Sequence, residues 1–245
     1  MAKENVKNTI DKMDKPIPLW VILIIPFYAG ALFSVILFPI AKDWGWLEAW
    51  LTIIVFAINI GVSYFIINKK NPRVIRNRMK VKKEGLTSLT KTSAGSDKFI
   101  MPILSVGFIG ALILPAFDHR CGWSSTPFMV KMIGLVVSNA GMVLMDIAML
   151  QNAFASKLLD INKGQTLIDT GLYSSVRHPL HSGASLMILA LPIALGSWWG
   201  VLPAAIGVLS LALRIRFEEE MLINGMDGYQ DYQTRVKYKL IPGIY

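Results

Sequence analysis

The sequence predicts an all-α fold: a polytopic membrane helix bundle with about six transmembrane helices. Three observations lead to this prediction. Hydrophobic residues make up 53% of the 245 positions and charged residues only 17%, whereas about a quarter of the residues in soluble domains are charged. The mean hydropathy is +0.49, and the apolar residues fall in long runs. This composition argues against a disordered chain, and a soluble enzyme would struggle to bury so much apolar surface.

Four apolar runs each predict one membrane crossing. They cover residues 17–41, 49–68, 99–117 and 132–153, and the last of them contains Asp146. A bilayer core of ~30 Å needs about 20 helical residues, which is close to the length of each run. An acidic side chain inside a membrane span usually has a function, so Asp146 is a candidate functional residue. The alternative is that its side chain snorkels to the interface or pairs with a nearby arginine.

A fifth apolar run covers residues 179–213. As one helix it would be about 52 Å long at ~1.5 Å per residue, which is too long for a single crossing. The run therefore predicts two short passes. We place the turn between them at residues 196–200, because glycines free the backbone there and tryptophans suit a membrane interface.

Lysine and arginine residues fall almost entirely on one predicted side of the bundle. Of the 25, 22 lie within four segments, residues 1–16, 69–98, 154–178 and 214–245. The positive-inside rule places this side in the cytoplasm, so both termini of this integral membrane protein are expected to be cytoplasmic. The net charge of +9 is then a signal of topology and of membrane lipid headgroups, and we expect no nucleic-acid partner.

The segment 69–98 alone carries ten of these cations. It suits a solvated segment next to anionic lipid or a docking surface for an acidic partner, and we favour the first interpretation. Cys121 is the single cysteine, and the chain has three histidines. No disulfide can therefore form within one chain, and no metal site is predicted. The sequence gives no indication of the oligomeric state.

Polar sequence concentrates in residues 164–183 and 214–243, on either side of the predicted hairpin. Because that hairpin returns the chain to its starting side, the two stretches are expected to meet at the cytoplasmic mouth of the bundle. Pro179 suits the first turn of the fifth span, which places Arg177 and His178 just before a helix N-terminus. A cation and exposed N–H groups there favour an anion site. The alternative for Arg177 is an interfacial side chain that snorkels to phosphate headgroups.

Three consecutive glutamates at positions 218–220 directly follow the sixth span, and Arg214 and Arg216 precede them. One interpretation is a solvated helix face, which we expect for one or two of the three. The other interpretation is a site for a cationic ligand, since carboxylates at the end of a span would attract one. Further on, Tyr229, Tyr232 and Val236 recur at helical spacing, and together with Leu240 and Ile241 they suggest an amphipathic C-terminal helix on the membrane, although packing is expected for most of these side chains.

The two polar stretches together carry a family resemblance. The motif G-x-Y-x-x-x-R-H-P ends at Pro179, E-E-x-x-L runs from Glu218 to Leu222, and G-Y-x-x-Y and a final I-P follow. This ordered set resembles the isoprenylcysteine carboxyl methyltransferase family, whose core is similar to that of the phospholipid N-methyltransferases. The resemblance divides the chain into N-terminal transmembrane helices with the basic loop, residues 1–150, and a methyltransferase core, residues 151–245.

The resemblance implies a membrane methyltransferase that uses S-adenosylmethionine in a cytoplasmic pocket formed by the C-terminal half. The acceptor would be a lipophilic substrate from the bilayer, either a prenylcysteine-type carboxylate or a lipid amine. Carried over by position, the residues that would line or shape the cofactor pocket are Gln165, Leu167, Gly171, Tyr173, His178, Pro179, Glu218 and Glu219.

The resemblance also implies three catalytic residues. Arg177 would hold a carboxylate or orient the acceptor. His181 stands where a tyrosine is usual in the family, and it supplies a possible base. A carboxylate acceptor needs no base, whereas an amine must lose a proton, for which His181 or a glutamate such as Glu219 would serve.

Two other kinds of protein compete with this interpretation. A membrane reductase of the sterol-reductase type shares a related C-terminal core, but it uses NADPH, and the sequence shows no additional motif for that larger cofactor. A non-enzymatic transporter or channel usually places polar residues within several spans, whereas most of the polarity here is expected at one mouth.

Overall fold

The computed structural model describes four segments of the chain: residues 15–72, 74–76, 97–152 and 166–245. Within them the fold is all helical, as predicted, and no strand occurs in these residues. The elements are α1 (Leu19–Ala41), α2 (Leu47–Lys70), α3 (Asp97–Cys121), α4 (Phe128–Gln151), a 3₁₀ turn (Gly171–Ser174), α5 (Pro179–Ala194), α6 (Val201–Gly225) and α7 (Tyr229–Arg235). Gln165 and most of the basic loop 69–98 lie outside the described residues.

Helices α1 to α6 match the six predicted spans. Helices α1 to α4 are long and apolar enough to cross a membrane. The apolar run 179–213 is divided between α5, with 16 residues, and α6, with 25 residues, and the turn between them includes the predicted residues 196–200. The chain is therefore an integral membrane helix bundle, and the length argument for two passes in this run is confirmed.

The loops that carry few cations meet at one end of the bundle. His119, at the end of α3, pairs with Asp43 in the α1–α2 loop at 2.9 Å. Thr126 in the α3–α4 loop donates a hydrogen bond to the carbonyl of Gly196 in the α5–α6 turn at 2.8 Å. Successive helices therefore alternate in direction, as the charge pattern predicts.

The opposite end carries the basic segments. The side chain of Asn68, near the end of α2, accepts a hydrogen bond from the N–H of Ile17 at 2.7 Å and donates one to its carbonyl at 2.9 Å. Arg76 donates to the carbonyl of Lys15 at 2.9 Å. These contacts hold the segment before α1 against the segment after α2. The cytoplasmic location of this end stays a prediction.

Glycines bring the helices of the C-terminal half close together. A Cβ atom built on Gly141 of α4 would lie 2.6 Å from the carbonyl oxygen of Gly183 in α5, and one on Gly107 of α3 would lie 2.6 Å from the Cα of Gly207 in α6. Small residues of this kind let helix backbones pack directly in a membrane. Helices α4 and α5, and likewise α3 and α6, are thereby held in fixed register, which sets where their polar ends lie.

The single cysteine tests the orientation of the bundle. Cys121 is exposed at the end of α3, on the side predicted to be non-cytoplasmic. A membrane-impermeant maleimide applied to intact cells is therefore expected to label the chain, and Cys121→Ser is expected to abolish the labelling.

An exposed position at the opposite end provides the matched control. Glu220 is exposed, and a chain with Cys121→Ser and Glu220→Cys is expected to be labelled only after the cells are permeabilised. The reverse pattern in the two chains would show that the orientation is wrong.

Candidate functional site

The two polar stretches meet at the basic end of the bundle, as predicted. The backbone N–H groups of Arg177 and His178 donate to the carbonyls of Tyr238 at 3.0 Å and Lys239 at 2.9 Å. The Ser182 hydroxyl donates to the carbonyl of Leu240 at 2.6 Å. The chain after α7 therefore runs alongside the residues that lead into α5, and the end of α6 lies next to both.

A buried ion pair joins these three segments. The Arg177 Nε donates to Glu219 Oε1 at 2.6 Å, and both side chains are at least nine-tenths buried. The Arg177 Nη1 donates to the carbonyls of Val236 at 2.6 Å and Lys237 at 2.9 Å. The carboxylate that Arg177 binds here is thus that of Glu219 itself, and the arginine also anchors the C-terminal segment.

Glu219 has further cationic and polar neighbours. Its Oε2 lies 2.8 Å from the Lys239 Nζ, and its Oε1 lies 3.4 Å from the His178 Nε2. Burial raises the pKa of the Glu219 carboxyl, but hydrogen bonds from His178, Arg177 and Lys239 outweigh burial and hold that pKa well below its usual range. Glu219 therefore stays ionised, and both of its carboxylate oxygens contact a neighbouring side chain.

The other two glutamates differ from Glu219. Glu220 is exposed to solvent, as expected for at least one of the three. The Glu218 carboxylate points towards the two histidines, with its oxygens 3.9 Å from the His178 Nδ1 and 3.6 Å from the His181 Nε2. Its Oε2 is buried and accepts no hydrogen bond from the described residues.

A tyrosine at this site also has a buried hydroxyl. The Tyr229 hydroxyl is buried and makes no hydrogen bond within the described part of the chain. Burial raises the pKa of the Tyr229 phenol, and the charge of Glu219 raises it further, so the hydroxyl keeps its proton and can donate. Since buried polar atoms are rarely left unpaired, the acceptor on Glu218 and the donor on Tyr229 indicate a ligand with complementary groups.

His181 lies between Glu218 and a second ion pair. Its Nε2 is 3.5 Å from the Arg214 Nη1, and the Arg214 Nε donates to Asp97 Oδ1 at 3.1 Å. Asp97 is fully buried at the start of α3. His181, the possible base, therefore lies against Arg214 of α6. Asp97 of α3 also belongs to this cluster, although the sequence analysis did not select it.

Three side chains at this site could hold a metal ion. His178, His181 and Glu218 each offer one ligand atom, and these atoms lie within 4.8 Å of one another. Two imidazoles and a carboxylate are a donor set that zinc accepts. The sequence analysis expected no metal site, and that expectation stays a prediction.

The loop before α5 contains two more of the predicted cofactor residues. Gly171 begins the 3₁₀ turn with a φ of 61°, and a Cβ there would lie 2.5 Å from the Gln151 side chain. Gln151, at the end of α4, accepts a hydrogen bond from the N–H of Leu172 at 2.9 Å. The Tyr173 carbonyl accepts one from the Tyr232 hydroxyl at 2.6 Å. The loop is thus attached to both α4 and α7.

The remaining predicted residues form the apolar border of the site. Leu167 packs against Tyr229, Tyr232 and Val236. Pro179 is buried at the first position of α5, as its predicted role in the first helical turn requires. Apart from Gln165, the structure therefore brings every predicted site residue to the same end of the bundle.

The C-terminal helix is shorter than predicted. Helix α7 ends at Arg235, so Leu240 and Ile241 lie beyond it and the expectation of a helix through residue 241 is wrong. The physical reason is that Arg177 and His178 bind the carbonyls of residues 236–239, which holds the chain extended. Tyr229 and Tyr232 are buried, which confirms the expected packing role of these two side chains.

Comparison with known proteins identifies a family whose model matches part of the chain. Residues 129–226 match the model of a family described as phospholipid methyltransferase. The match confirms the resemblance to membrane methyltransferases for this part of the chain. It begins in α4, upstream of residue 151, and it ends before α7. A comparison with curated proteins finds no match for the chain.

The Arg177–Glu219 pair predicts a large effect on stability. Arg177→Ala leaves the Glu219 carboxylate buried with fewer cationic partners, and breaking a buried pair in this way costs about 3–5 kcal/mol. We expect the free energy of unfolding, measured in mixed detergent micelles, to fall by this order. We also expect a protease to cleave the segment 236–241 faster than in the wild-type chain.

Arg216→Ala is the matched control, because Arg216 is exposed on α6. It is expected to unfold like the wild-type chain. Equal unfolding free energies for Arg177→Ala and Arg216→Ala would contradict the anchoring role of Arg177.

Proposed function

We propose that the chain is an S-adenosylmethionine-dependent methyltransferase that acts on a lipophilic acceptor from the bilayer. The observation that carries the proposal is a pair of buried polar atoms, Glu218 Oε2 and the Tyr229 hydroxyl, that make no hydrogen bond with the described residues. Glu218 lies near the end of the segment that matches the phospholipid methyltransferase model, and Tyr229 follows that segment. The isoprenylcysteine carboxyl methyltransferase type of chemistry and the choice of cofactor both belong to this proposal.

The polar groups fit the amino-acid end of the cofactor. That end carries an ammonium, which donates hydrogen bonds, and a carboxylate, which accepts them. Glu218 offers an acceptor for the ammonium, and the Tyr229 hydroxyl offers a donor for the carboxylate. Because Glu219 already contacts Arg177, His178 and Lys239, we assign it the role of shaping the pocket.

S-adenosylmethionine supplies an electrophilic methyl group on a sulfonium. When bound, the cofactor would supply that methyl group to the acceptor by in-line displacement. The chain has to align the two reactants and exclude water. The apolar border of Leu167 and Pro179 suits the second task, and Arg177 keeps the wall of the pocket in place.

The lipid-facing surface of the bundle reaches this site. Leu209, Leu213 and Phe217 are spaced one helical turn apart along α6 and are exposed, and Phe217 is directly followed by Glu218. A hydrocarbon chain lying along these residues would place its polar head at the charged end of α6. We therefore propose that the acceptor arrives sideways from the bilayer and that the cofactor enters from the cytoplasm.

Calorimetric titration of the detergent-purified chain tests the cofactor. We expect binding of S-adenosylmethionine and S-adenosylhomocysteine, and none of NADPH. Glu218→Gln and Tyr229→Phe should each weaken binding about tenfold or more, because each removes a hydrogen bond to a charged group.

Glu220→Gln is the matched control for the titration, since Glu220 is exposed on the same helix. It should bind like the wild-type chain. Binding of NADPH alone would instead support the reductase interpretation. Wild-type affinity in both Glu218→Gln and Tyr229→Phe would show that the cofactor site is wrong.

His181 separates the two classes of acceptor. His181→Ala should change turnover little for a prenylcysteine carboxylate, which is already a nucleophile. It should lower turnover about 100-fold or more for a lipid amine, because general-base catalysis contributes at least this much. The measurement is transfer of radiolabel from the methyl donor to prenylcysteine analogues, lipid extracts and soluble amines. Methylation of freely water-soluble acceptors alone would refute access from the bilayer.

A further inference from the structure

Two histidines and a glutamate form a compact cluster at the charged site. His178 directly precedes α5, His181 lies in the first turn of α5, and Glu218 lies on α6. One ligand atom from each residue lies within 4.8 Å of those from the other two. The imidazole side chains are 4% and 7% exposed and the carboxylate is 24% exposed. The cluster is therefore largely buried, and solvent reaches it on the side of the carboxylate.

His178 presents a ring nitrogen with a lone pair to this cluster. Its Nε2 lies 3.4 Å from Glu219 Oε1, and because an ionised carboxylate only accepts hydrogen bonds, Nε2 carries the proton. The other nitrogen of the neutral imidazole is then an acceptor, and this Nδ1 lies 3.9 Å from Glu218 Oε1. Histidines that bind a metal almost always donate their second ring N–H to a carboxylate, a carbonyl or water.

His181 presents a second lone pair to the same carboxylate. Its Nε2 lies 3.5 Å from the Arg214 Nη1, and because a guanidinium only donates, Nε2 is the unprotonated nitrogen of the neutral ring. The same Nε2 lies 3.6 Å from Glu218 Oε2, an oxygen that makes no hydrogen bond with the described residues. Two imidazole lone pairs and a carboxylate therefore converge without a proton to share, an arrangement that favours a cation.

The backbone holds the two imidazoles in this arrangement. The N–H of His178 donates to the carbonyl of Lys239 at 2.9 Å, and the carbonyl of His178 accepts from the N–H of Ser182 at 3.0 Å. Pro179 occupies the first position of α5, where its fixed φ suits the helix. Because the donors are already placed by the fold, little ordering is needed when a ligand binds.

The guanidinium of Arg214 leaves room for a cation beside His181. Its Nε donates to Asp97 Oδ1 at 3.1 Å, which is closer than its 3.5 Å contact with the His181 ring. The arginine therefore keeps its carboxylate partner when the lone pair of His181 turns to another ligand.

The donor atoms select among metal ions. Magnesium and calcium prefer shells made of oxygen, whereas imidazole nitrogen suits zinc and its first-row neighbours. Ligand atoms on a tetrahedral zinc, each ~2.0–2.2 Å from the metal, are roughly 3.4 Å apart. The contacts of 3.6 and 3.9 Å between the imidazoles and Glu218 are close to this spacing. Three protein ligands leave the fourth position for water.

We propose that His178, His181 and Glu218 bind a zinc-like divalent transition metal and that the bound ion excludes the methyl donor. The exclusion rests on the proposed function, in which Glu218 accepts hydrogen bonds from the ammonium of S-adenosylmethionine. The ion and the ammonium are both cations that need the Glu218 carboxylate, so they compete for it. The ion also takes the lone pair of His181, the possible base. The metal is therefore an inhibitor, and the proposal departs from the sequence-based expectation of no metal site.

Titration of the detergent-purified chain with zinc alone tests the metal site. The chain carries no polyhistidine tag and is first treated with a chelator, which is then removed. We expect calorimetry to show one zinc ion bound per chain and no binding of magnesium. Cobalt(II) serves as the spectroscopic probe, and we expect the intense visible absorption of a four-coordinate ion, which zinc abolishes.

Substitutions of two of the ligands locate the metal. His181→Gln and Glu218→Gln keep a polar side chain of similar size and should each weaken zinc binding about tenfold or more, because even residues behind the ligands contribute 10–100-fold. His119→Gln is the matched control. His119 is the remaining histidine, and it pairs with Asp43 at the opposite end of the bundle, so this variant should bind zinc like the wild-type chain. Size-exclusion profiles verify that all three variants fold.

Competition with S-adenosylhomocysteine tests the exclusion. Zinc at about ten times its own dissociation constant should raise the apparent dissociation constant of S-adenosylhomocysteine about tenfold, by mass action. Titration of zinc into S-adenosylhomocysteine without protein corrects for any complex between the two. An unchanged affinity at saturating zinc would overturn the exclusion.

Three further outcomes would overturn the metal site. One is the spectrum of hydrated cobalt with the wild-type chain, which does not depend on any variant folding. Another is wild-type zinc affinity in both folded ligand variants, and the third is loss of zinc binding in His119→Gln. The two proposals fail separately. Zinc binding without any binding of S-adenosylmethionine or S-adenosylhomocysteine would refute the proposed function and support the metal site, whereas cofactor binding without zinc binding would do the reverse.

Discussion

The geometry of the charged site depends on the buried contact between Arg177 and Glu219. A buried ion pair is costly to desolvate, and it is tolerated when further hydrogen bonds satisfy both partners. Here the backbone carbonyls of residues 236 and 237 accept hydrogen bonds from the Arg177 guanidinium. Lys239 and His178 lie against the Glu219 carboxylate. One interaction thus fixes the start of α5, the end of α6 and the segment after α7 relative to one another.

The membrane fold was largely predictable because the bilayer imposes a length. Runs of about 20 apolar residues admit few interpretations, and the 35-residue run 179–213 had to turn back on itself. The pairing of the helices was not predictable. It rests on glycine contacts such as Gly141 with Gly183, and a glycine in an apolar run does not reveal which helix it faces.

The site was predictable to the extent that its residues are consecutive in sequence. The R-H-P and E-E motifs identified Arg177, His178 and Glu218 as candidates, and the hairpin explained why they should meet. The contributions of Asp97, Lys239 and the Tyr229 hydroxyl depend on contacts across 20 or more residues of sequence or on burial, which spacing does not encode. The extent of α7 was also missed, because the carbonyls of residues 236 and 237 are bound by a distant arginine in place of helical hydrogen bonds.

The shortness of α5 has a consequence for the surrounding lipid. A helix of 16 residues is only about 24 Å long at ~1.5 Å per residue, roughly 6 Å less than a typical hydrocarbon core of ~30 Å. Such hydrophobic mismatch is relieved by local thinning of the bilayer or by water that reaches inward at the helix end. Because the end of α5 opposite the charged site is fixed by the turn at residues 195–200, the shortfall falls at His178 and Pro179. The polar end of α5 therefore lies about one helical turn below the level at which lipid headgroups would otherwise stand.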